Sequence, residues 1–282
     1  MKCQKYSSIA KIFTLLSILF LISCSSNEQN FKKETTNTNS EQKVENTTPV
    51  AKKYYAKIIS TIPHDENSYT QGLIFHNGFI YESTGQYGES TLRKIDPQNG
   101  KILQKINIPS SFFTEGIAIS DNKIFQLTWQ ELTCFVYDLK TFKQIGKFNY
   151  HGEGWGLTEF NSILIMSDGS NYLKFINPAN FGIEKTISVL DNSRSINNLN
   201  ELEIINGEIW ANIYMTDFIA IINPETGNVN GFIDCSILRA SLQNNPNAEV
   251  MNGIAYDKNT NTIWLTGKNW NKIFKVEIIE QR

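Results

Sequence analysis

Glu115 stands between Phe112-Phe113-Thr114 and Gly116, directly ahead of the apolar run Ile117-Ala118-Ile119. A carboxyl set among aromatic residues at the start of a strand is a candidate general acid and base, because an apolar setting raises its affinity for a proton. The local pattern recurs. Thr70-Gln71-Gly72-Leu73 precedes Ile74-Phe75, Gly154-Trp155-Gly156-Leu157 opens another run, and so do Asn200-Glu201-Leu202 and Asn252-Gly253-Ile254-Ala255. With Gly72, Gly116, Gly156, Glu201 and Gly253 as one register, the steps are 44, 40, 45 and 52 residues. Strand-rich repeats of this length mark a β-propeller. The residue before each register position is Gln71, Glu115, Trp155, Asn200 or Asn252, polar or aromatic where an ordinary strand carries Val, Ile or Thr. We read these as one ring of side chains converging on a central site, with Glu115 its only acid.

A second ring follows from the ends of the second strands. Thirteen residues beyond the register position lie Gly85, Trp129, Gly169 and Tyr214, and with two extra residues in the turn Asp257 to Thr262 the fifth is Lys268. Asp168 adjoins Gly169. A few polar groups inside an aromatic wall is the usual make-up of a small-ligand pocket. Taken singly, Trp129 and Trp155 read as packing, Asn200 and Asn252 as turn residues, and Lys268 as a surface group. Glu201 and Glu203 read as solvent-facing or bonded to backbone. The shared register is what makes them a set.

The elements that must position this set are short strands. Tyr54 to Ile62 alternates apolar and polar and reads as one strand. Four strands follow in each of four repeats, with hairpin turns at Asn77-Gly78, Asp121-Asn122 and Asn206-Gly207. Ser236 to Asn247 is expected to hold a short helix. The fifth repeat (Ile254 to Tyr256, Ile263 to Thr266, Ile273 to Ile278) is one strand short, and the N-terminal strand is expected to fill that place. The count closes as an all-β, five-bladed propeller of four strands per blade; a sixth repeat is not found.

The propeller is expected to span 54–282. Ahead of it, Lys2, Lys5 and Lys11 precede the apolar run Ile12 to Ile22, too short to span a membrane and shaped like a signal peptide. Its end, Leu21-Ile22-Ser23-Cys24, resembles a bacterial lipobox, so 1–23 reads as a lipoprotein signal and Cys24 as the lipidated residue; a plain secretory signal cut near Ser23 is the alternative. Residues 24–53 are nearly free of large apolar side chains and read as a disordered tether. The expected location is the bacterial cell envelope, lipid-anchored and facing periplasm or exterior. Cys134 and Cys235 remain; the compartment permits a bridge, yet each looks like a buried strand residue. Net charge is −2 with Lys and Arg scattered, which gives nucleic acid no footprint. His64, His76 and His151 lack ligand spacing with a second His or Cys, so no catalytic metal and no cofactor is expected.

Motifs in every repeat, across residues 55 to 278, resemble the plant-type glutaminyl-peptide cyclotransferases. They are Tyr-Thr-Gln-Gly-Leu (69–73), Phe-Phe-Thr-Glu-Gly (112–116), Leu-Thr-Trp (127–129), Gly-Glu-Gly-Trp-Gly-Leu (152–157), Leu-Asn-Glu-Leu-Glu (199–203), Trp-Ala-Asn-Ile (210–213), Met-Asn-Gly-Ile-Ala-Tyr (251–256) and Thr-Gly-Lys-Asn-Trp (266–270). The resemblance implies a five-bladed, zinc-independent enzyme that turns N-terminal glutamine into pyroglutamate and releases ammonia. It makes Glu115 the catalytic acid and base. Gln71, Phe113, Trp129, Trp155, Asn200 and Lys268 would line the pocket, with Tyr69, Tyr214 and Asn252 beside them. Tyr69 stands where the family more often has Phe, and Tyr214 where it has Trp; both keep a ring.

The chemistry also fits the residues. Five-membered ring closure is intramolecular, so the protein mainly has to hold the folded conformer. One carboxyl can take the proton from the attacking amine and give it to the departing nitrogen. Aromatic surroundings push the Glu115 pKa up and Lys268 pulls it down, while Lys268, Gln71 and Asn200 are suited to a developing oxyanion. Partners expected on this reading are peptides or proteins with N-terminal glutamine, with the membrane met only through the lipid and the domain monomeric. Three rivals remain: a propeller that binds such peptides without turnover, a metal-dependent propeller hydrolase, and a scaffold. The hydrolase would need several carboxylates in the channel, and the convergent polar ring speaks against the scaffold.

Overall fold

The computed structural model describes residues 50–242 and 245–281. The signal segment, Cys24 and nearly all of the tether therefore lie outside the described residues. The described residues form one compact unit. Its first strand is β1 (Lys52–Pro63), which begins two residues earlier than the alternation suggested. Four-stranded antiparallel meanders follow: β2 (Thr70–His76), β3 (Phe79–Thr84), β4 (Thr91–Ile95) and β5 (Ile102–Asn107); then β6 (Thr114–Ser120), β7 (Lys123–Thr128), β8 (Thr133–Asp138) and β9 (Gln144–Asn149); then β10 (Leu157–Phe160), β11 (Ile163–Met166), β12 (Tyr172–Ile176) and β13 (Ile183–Ser188). A small hairpin, β14 (Leu190–Asp191) and β15 (Arg194–Ser195), precedes β16 (Leu199–Ile205), β17 (Glu208–Ile213), β18 (Phe218–Ile222) and β19 (Val229–Asp234). The single-turn helix α1 (Ser236–Ala240) leads to β20 (Met251–Asp257), β21 (Thr262–Gly267) and β22 (Lys272–Glu280).

The N-terminal strand takes the place expected of it. β1 pairs antiparallel with β22 as the outer strand of the last meander. Residues Lys52 to Tyr55 also pair in parallel with β19, so β1 joins two meanders into one eight-stranded sheet. That second pairing and the β14–β15 hairpin were not foreseen. Turn chemistry explains the tight returns. Asn77-Gly78, Asp121-Asn122, Asn161-Ser162 and Asn206-Gly207 each hold both residues at positive φ, the type I′ geometry whose twist suits a two-residue hairpin.

The first strands β2, β6, β10, β16 and β20 touch in that cyclic order, and β20 returns to β2. The core is divided the same way. Ile74, Tyr81 and Leu92 pack on Ile117, Ile124 and Phe135, and three more clusters continue between neighbouring meanders. A fifth cluster sets Ala255, Trp264 and Ile273 of the last meander against Leu73 and Ile80 of the first. Apolar burial, the dominant favourable term in folding, thus closes the ring.

Where the first strands converge, four of them share one irregularity. The ladder slips between Thr70 and Gly72, Thr114 and Ile117, Leu199 and Leu202, and Met251 and Ile254. Gln71, Glu115, Asn200 and Asn252 fall in the slipped stretch. A bulge frees a residue from the ladder and re-aims its side chain, which is why these positions are not Val or Ile. The same closing bond then recurs. The N–H groups of Gly85, Trp129, Tyr214 and Lys268 donate to the carbonyls of Tyr69, Phe113, Asn198 and Val250 at 2.8, 2.8, 2.8 and 2.9 Å. Four of the five second-ring positions are therefore structurally equivalent.

The third meander departs from this. β10 starts only at Leu157, and the Trp155 N–H donates to the Ser167 carbonyl at 3.0 Å. Glu201 is buried and bonded to backbone: its carboxylate accepts the Leu73 N–H at 3.1 Å and the Ile254 N–H at 2.8 Å. Glu203 is also buried, which overturns the solvent-facing option for both. Cys134 and Cys235 are free thiols in separate clusters, with Cys235 just past β19 rather than within a strand.

Candidate active site

At the end of the ring where the first strands begin, a cavity of about 320 Å³ is lined by Tyr69, Phe113, Glu115, Trp129, Trp155, Asn200, Tyr214 and Lys268. All eight were singled out from the sequence. Gln71 and Asn252 belong to the same bulges but lie beneath the surface, fully packed. The Asn252 amide donates to the Thr70 carbonyl at 3.1 Å and to the Gln71 side-chain oxygen at 3.3 Å, so these two support the floor instead of forming it. Glycine at the second-ring positions of the first and third meanders has a steric reason. A Cβ at Gly85 would strike the Phe113 ring, and one at Gly169 would meet the Trp155 ring at 2.7 Å.

The floor is polar and the wall aromatic. Glu115, Asn200 and Lys268 are buried, whereas the five rings are half-buried. Phe113 to Tyr69 and Tyr214 to Trp155 run edge to face, at 6.0 and 5.5 Å between centroids, and Trp129 is tilted against Phe113 at 5.7 Å. The Lys268 ammonium bridges Tyr69 and Tyr214, 4.7 and 5.0 Å from their centroids. Cation–π contact keeps a desolvated ammonium in place without a carboxylate partner. Among the described residues no ion pair involves Lys268 or Glu115.

Glu115 has no protein partner at Oε2. Burial pushes its pKa well above the ordinary range; Lys268 opposes this, and Glu153 and Glu131 reinforce it. Lys268 moves the opposite way. Burial lowers its pKa, against the pull of Glu115 and Glu249. A buried acid and a buried amine thus face one cavity, each drawn towards its neutral form. Asn200 also presents an unpartnered Oδ1. Buried polar atoms normally find partners, so unpaired ones that line a cavity point to a ligand with complementary groups.

Two supporting residues were missed. Glu153 accepts the indole N–H groups of Trp129 and Trp155 on a single oxygen, at 2.8 and 2.9 Å. Glu131 accepts the Phe113 N–H at 3.3 Å and the Tyr87 hydroxyl at 2.7 Å. Glu153 occupies the third position before the register residue, where the first two repeats carry Tyr69 and Phe113, so carrying the register outward would have flagged it.

A larger cavity, about 520 Å³, opens at the opposite end of the ring among the turns, with Asn77, Asn161, Asn206 and Asn259 in its wall. It has the greater volume, and its aromatic residues Phe75, Phe160 and Tyr256 pair with no other ring among the described residues. Among the described residues no three His, Cys, Asp or Glu side chains group as metal ligands.

The profile of the glutamine cyclotransferase family matches residues 30–278. This chain belongs to that family. A glutaminyl-peptide cyclotransferase from Arabidopsis thaliana is 35% identical over 226 residues, 79% of this chain and 71% of the relative. The crystal structure of Myxococcus xanthus glutaminyl cyclase superposes with a TM-score of 0.77 at 35% identity, covering 82% of this chain and all of that one. Family membership extends upstream of β1, into the stretch read as tether.

Proposed function

We propose that this protein is a glutaminyl-peptide cyclotransferase: it converts N-terminal glutamine of peptides or proteins to pyroglutamate and releases ammonia. The observation that carries this reading is the unpartnered, buried carboxyl of Glu115 facing the Lys268 ammonium across an aromatic cavity. The relatives' names supply the reaction class. The substrate's α-nitrogen attacks its own γ-amide carbon, forming the ring C–N bond. Glu115 takes the proton that the α-nitrogen sheds and passes it to the amide nitrogen, so the old C–N bond breaks and ammonia leaves. Such general acid–base help is worth about 10²–10⁴-fold. Lys268, with the Asn200 side chain, is placed to meet charge on the carbonyl oxygen, and the ring wall holds the folded conformer.

On this reading the cyclically contacting meanders are the blades of a five-bladed propeller, the fifth completed by β1. The mechanism needs no metal and no cofactor. Residues 1–23 form a lipoprotein signal, Cys24 carries the lipid, and the upstream segment tethers a monomeric domain on the outer side of a bacterial membrane. The test is ammonia release from a short glutaminyl peptide by the full chain, with and without chelator, beside Glu115→Gln. Chelator-resistant release that the substitution abolishes is the expected result. Binding of the peptide without release would mean a binding propeller, and release lost to chelator would mean a metal enzyme. Mass spectrometry of the mature N-terminus checks Cys24.

A further inference from the structure

The aromatic belt around the cavity is continuous except at one place. From Trp129 it passes ring to ring through Phe113 and Tyr69, across Lys268 to Tyr214, and on to Trp155. Among the described residues no ring pair joins Trp155 back to Trp129. That gap is spanned by Glu153, whose Oε2 takes both indole N–H groups while Oε1 takes the Gln130 amide at 3.2 Å. The gap falls where the fold is least regular. Trp155 precedes β10, in the one meander without a bulged first strand; its backbone is held by its N–H on the Ser167 carbonyl at 3.0 Å and by the Gly116 N–H on its own carbonyl at 2.7 Å, and its indole N–H is held by Glu153.

We propose that Glu153 is a positioning residue: a clasp that closes the belt, fixes the spacing of the Trp129 and Trp155 walls, and sets a negative charge beside the cavity. This rests on the cyclotransferase reading for its kinetic consequences, but the clasp itself is a matter of geometry. A carboxylate accepts well from two indoles at once because each ionised oxygen has two lone-pair sites. Its surroundings favour the ionised form. Burial pushes the Glu153 pKa up, and the donors on Trp155, Trp129 and Gln130 outweigh that and hold it low. The other acidic groups it faces are Asp168, which is paired with Lys174 at 2.8 Å, and Glu115. Facing Glu115 are Lys268, Glu153 and Glu131, so the Glu153 charge is one of two that help Glu115 keep its proton.

Two variants separate the roles. Glu153→Ala removes the acceptor and frees both indoles; kcat/KM should fall about tenfold to a hundredfold, chiefly through KM, since displacing a positioning group by about 1 Å can cost 10²-fold. Glu153→Gln keeps an acceptor oxygen but drops the charge. It should recover most of the KM, and the acid limb of its kcat/KM profile should move to lower pH, which a purely structural role would not produce. An independent readout needs no turnover. The chain has five tryptophans, and in full-chain protein labelled with nitrogen-15 the indole resonances of Trp129 and Trp155, assigned by Trp→Phe substitution, should move together in Glu153→Gln and during acid titration of the wild type, with the other three still. Titration of the wild type keeps the test decisive if Glu153→Ala does not fold. Indole resonances indifferent to both, or a Glu153→Gln profile superimposable on wild type, would overturn the clasp. A wild type that releases no ammonia would defeat the cyclotransferase reading and leave the indole result to judge the clasp.

Discussion

Glu82 and Glu115 are both buried carboxyls at the same end of the ring, and they are equipped in opposite ways. Glu82 Oε1 accepts from the Thr70 hydroxyl at 2.7 Å and lies 2.8 Å from His64 Nε2, while Oε2 faces the Arg93 guanidinium at 3.6 Å. His64 Nδ1 lies 2.8 Å from the Trp270 carbonyl, and Arg93 reaches Asp65 at 3.1 Å. This cluster draws on the first and last meanders, where the ring is joined. Burial pushes the Glu82 pKa up, but His64, Arg93 and Thr70 outweigh it and hold the group low. Glu115 has been given none of this; its neighbours are rings, a cation held by those rings, and two carboxylates that hinder its ionisation. Burial alone therefore says little about a carboxyl's task. Its partners say more. Oε2 makes no hydrogen bond in either residue, but Glu82 is bonded through Oε1 and faces an arginine, which fastens the fold, whereas Glu115 has neither bond nor ion pair among the described residues and lines a cavity, which leaves it available for a substrate.

The contrast is easiest to break at its extremes. Glu115→Gln should lower kcat/KM by about 10²–10⁴-fold while leaving thermal unfolding unchanged or slightly later, because the substitution removes a desolvated acid and no hydrogen bond. A clear loss of stability would show that Glu115 is a structural group after all. Glu82→Ala should do the reverse. Removing one partner of a buried ionic cluster costs about 3–5 kcal/mol, readable as a lower urea midpoint, and turnover per folded molecule should stay close to wild type. If Glu82→Ala proved stable yet inactive, the two residues would have to exchange roles. Smaller again is Gly85→Ala. Its methyl group would run into the Phe113 ring and the Gln71 side chain. Overpacking of this kind costs about 1–3 kcal/mol, and the accompanying shift of Phe113 should raise KM more than it lowers kcat.

The difference between these regions also marks what the sequence could and could not say. The cavity was legible because it is built by repetition. The step from Gly116 to Trp129 and that from Glu201 to Tyr214 are equal, and equal steps in a repeat place side chains at equivalent points, so six of the eight lining residues could be named from the register, while Tyr69 and Phe113 were named only through the family motifs that hold them. Turn residues such as Asn77-Gly78 fixed the strand pairs that carry them. The bulges were not visible, because a slip in the ladder depends on the partner strand; hence the first strand of the last repeat was expected from Ile254 and begins at Met251, and Gln71 and Asn252 were expected on the surface they in fact support. The Glu82 cluster escaped for a different reason. It gathers His64, Glu82, Arg93 and Trp270 from separate elements and repeats nowhere, so no period announces it. Glu153 falls between the two cases, on register by position but in the one meander that departs from the pattern.

The finest test of the comparison is the pH dependence of stability, where the two carboxyls should contribute slopes of opposite sign. Both start from an ordinary value of 4.5. The folded pKa of Glu82 lies below this, so its contribution is complete above about pH 4.5; as the pH falls, the unfolded chain binds the proton first and that contribution drains away. The folded pKa of Glu115 lies above it. At low pH both states are protonated and Glu115 is neutral in the balance; as the pH rises past 4.5 the unfolded chain releases its proton while the folded one still holds it, and stability declines until the folded pKa is passed. Each slope is bounded by one proton, about 1.4 kcal/mol per pH unit. Urea titrations between about pH 3 and 8, with wild type compared with Glu82→Gln and with Glu115→Gln, isolate the two terms, because the buried Glu201 and Glu203 are common to all three proteins. The advantage of wild type over Glu82→Gln should shrink towards acid, and that of Glu115→Gln over wild type should grow towards neutrality. Difference curves that run parallel would mean that partners do not set the roles of these two acids, and the division between fastening and reacting groups would have to be sought elsewhere in the ring.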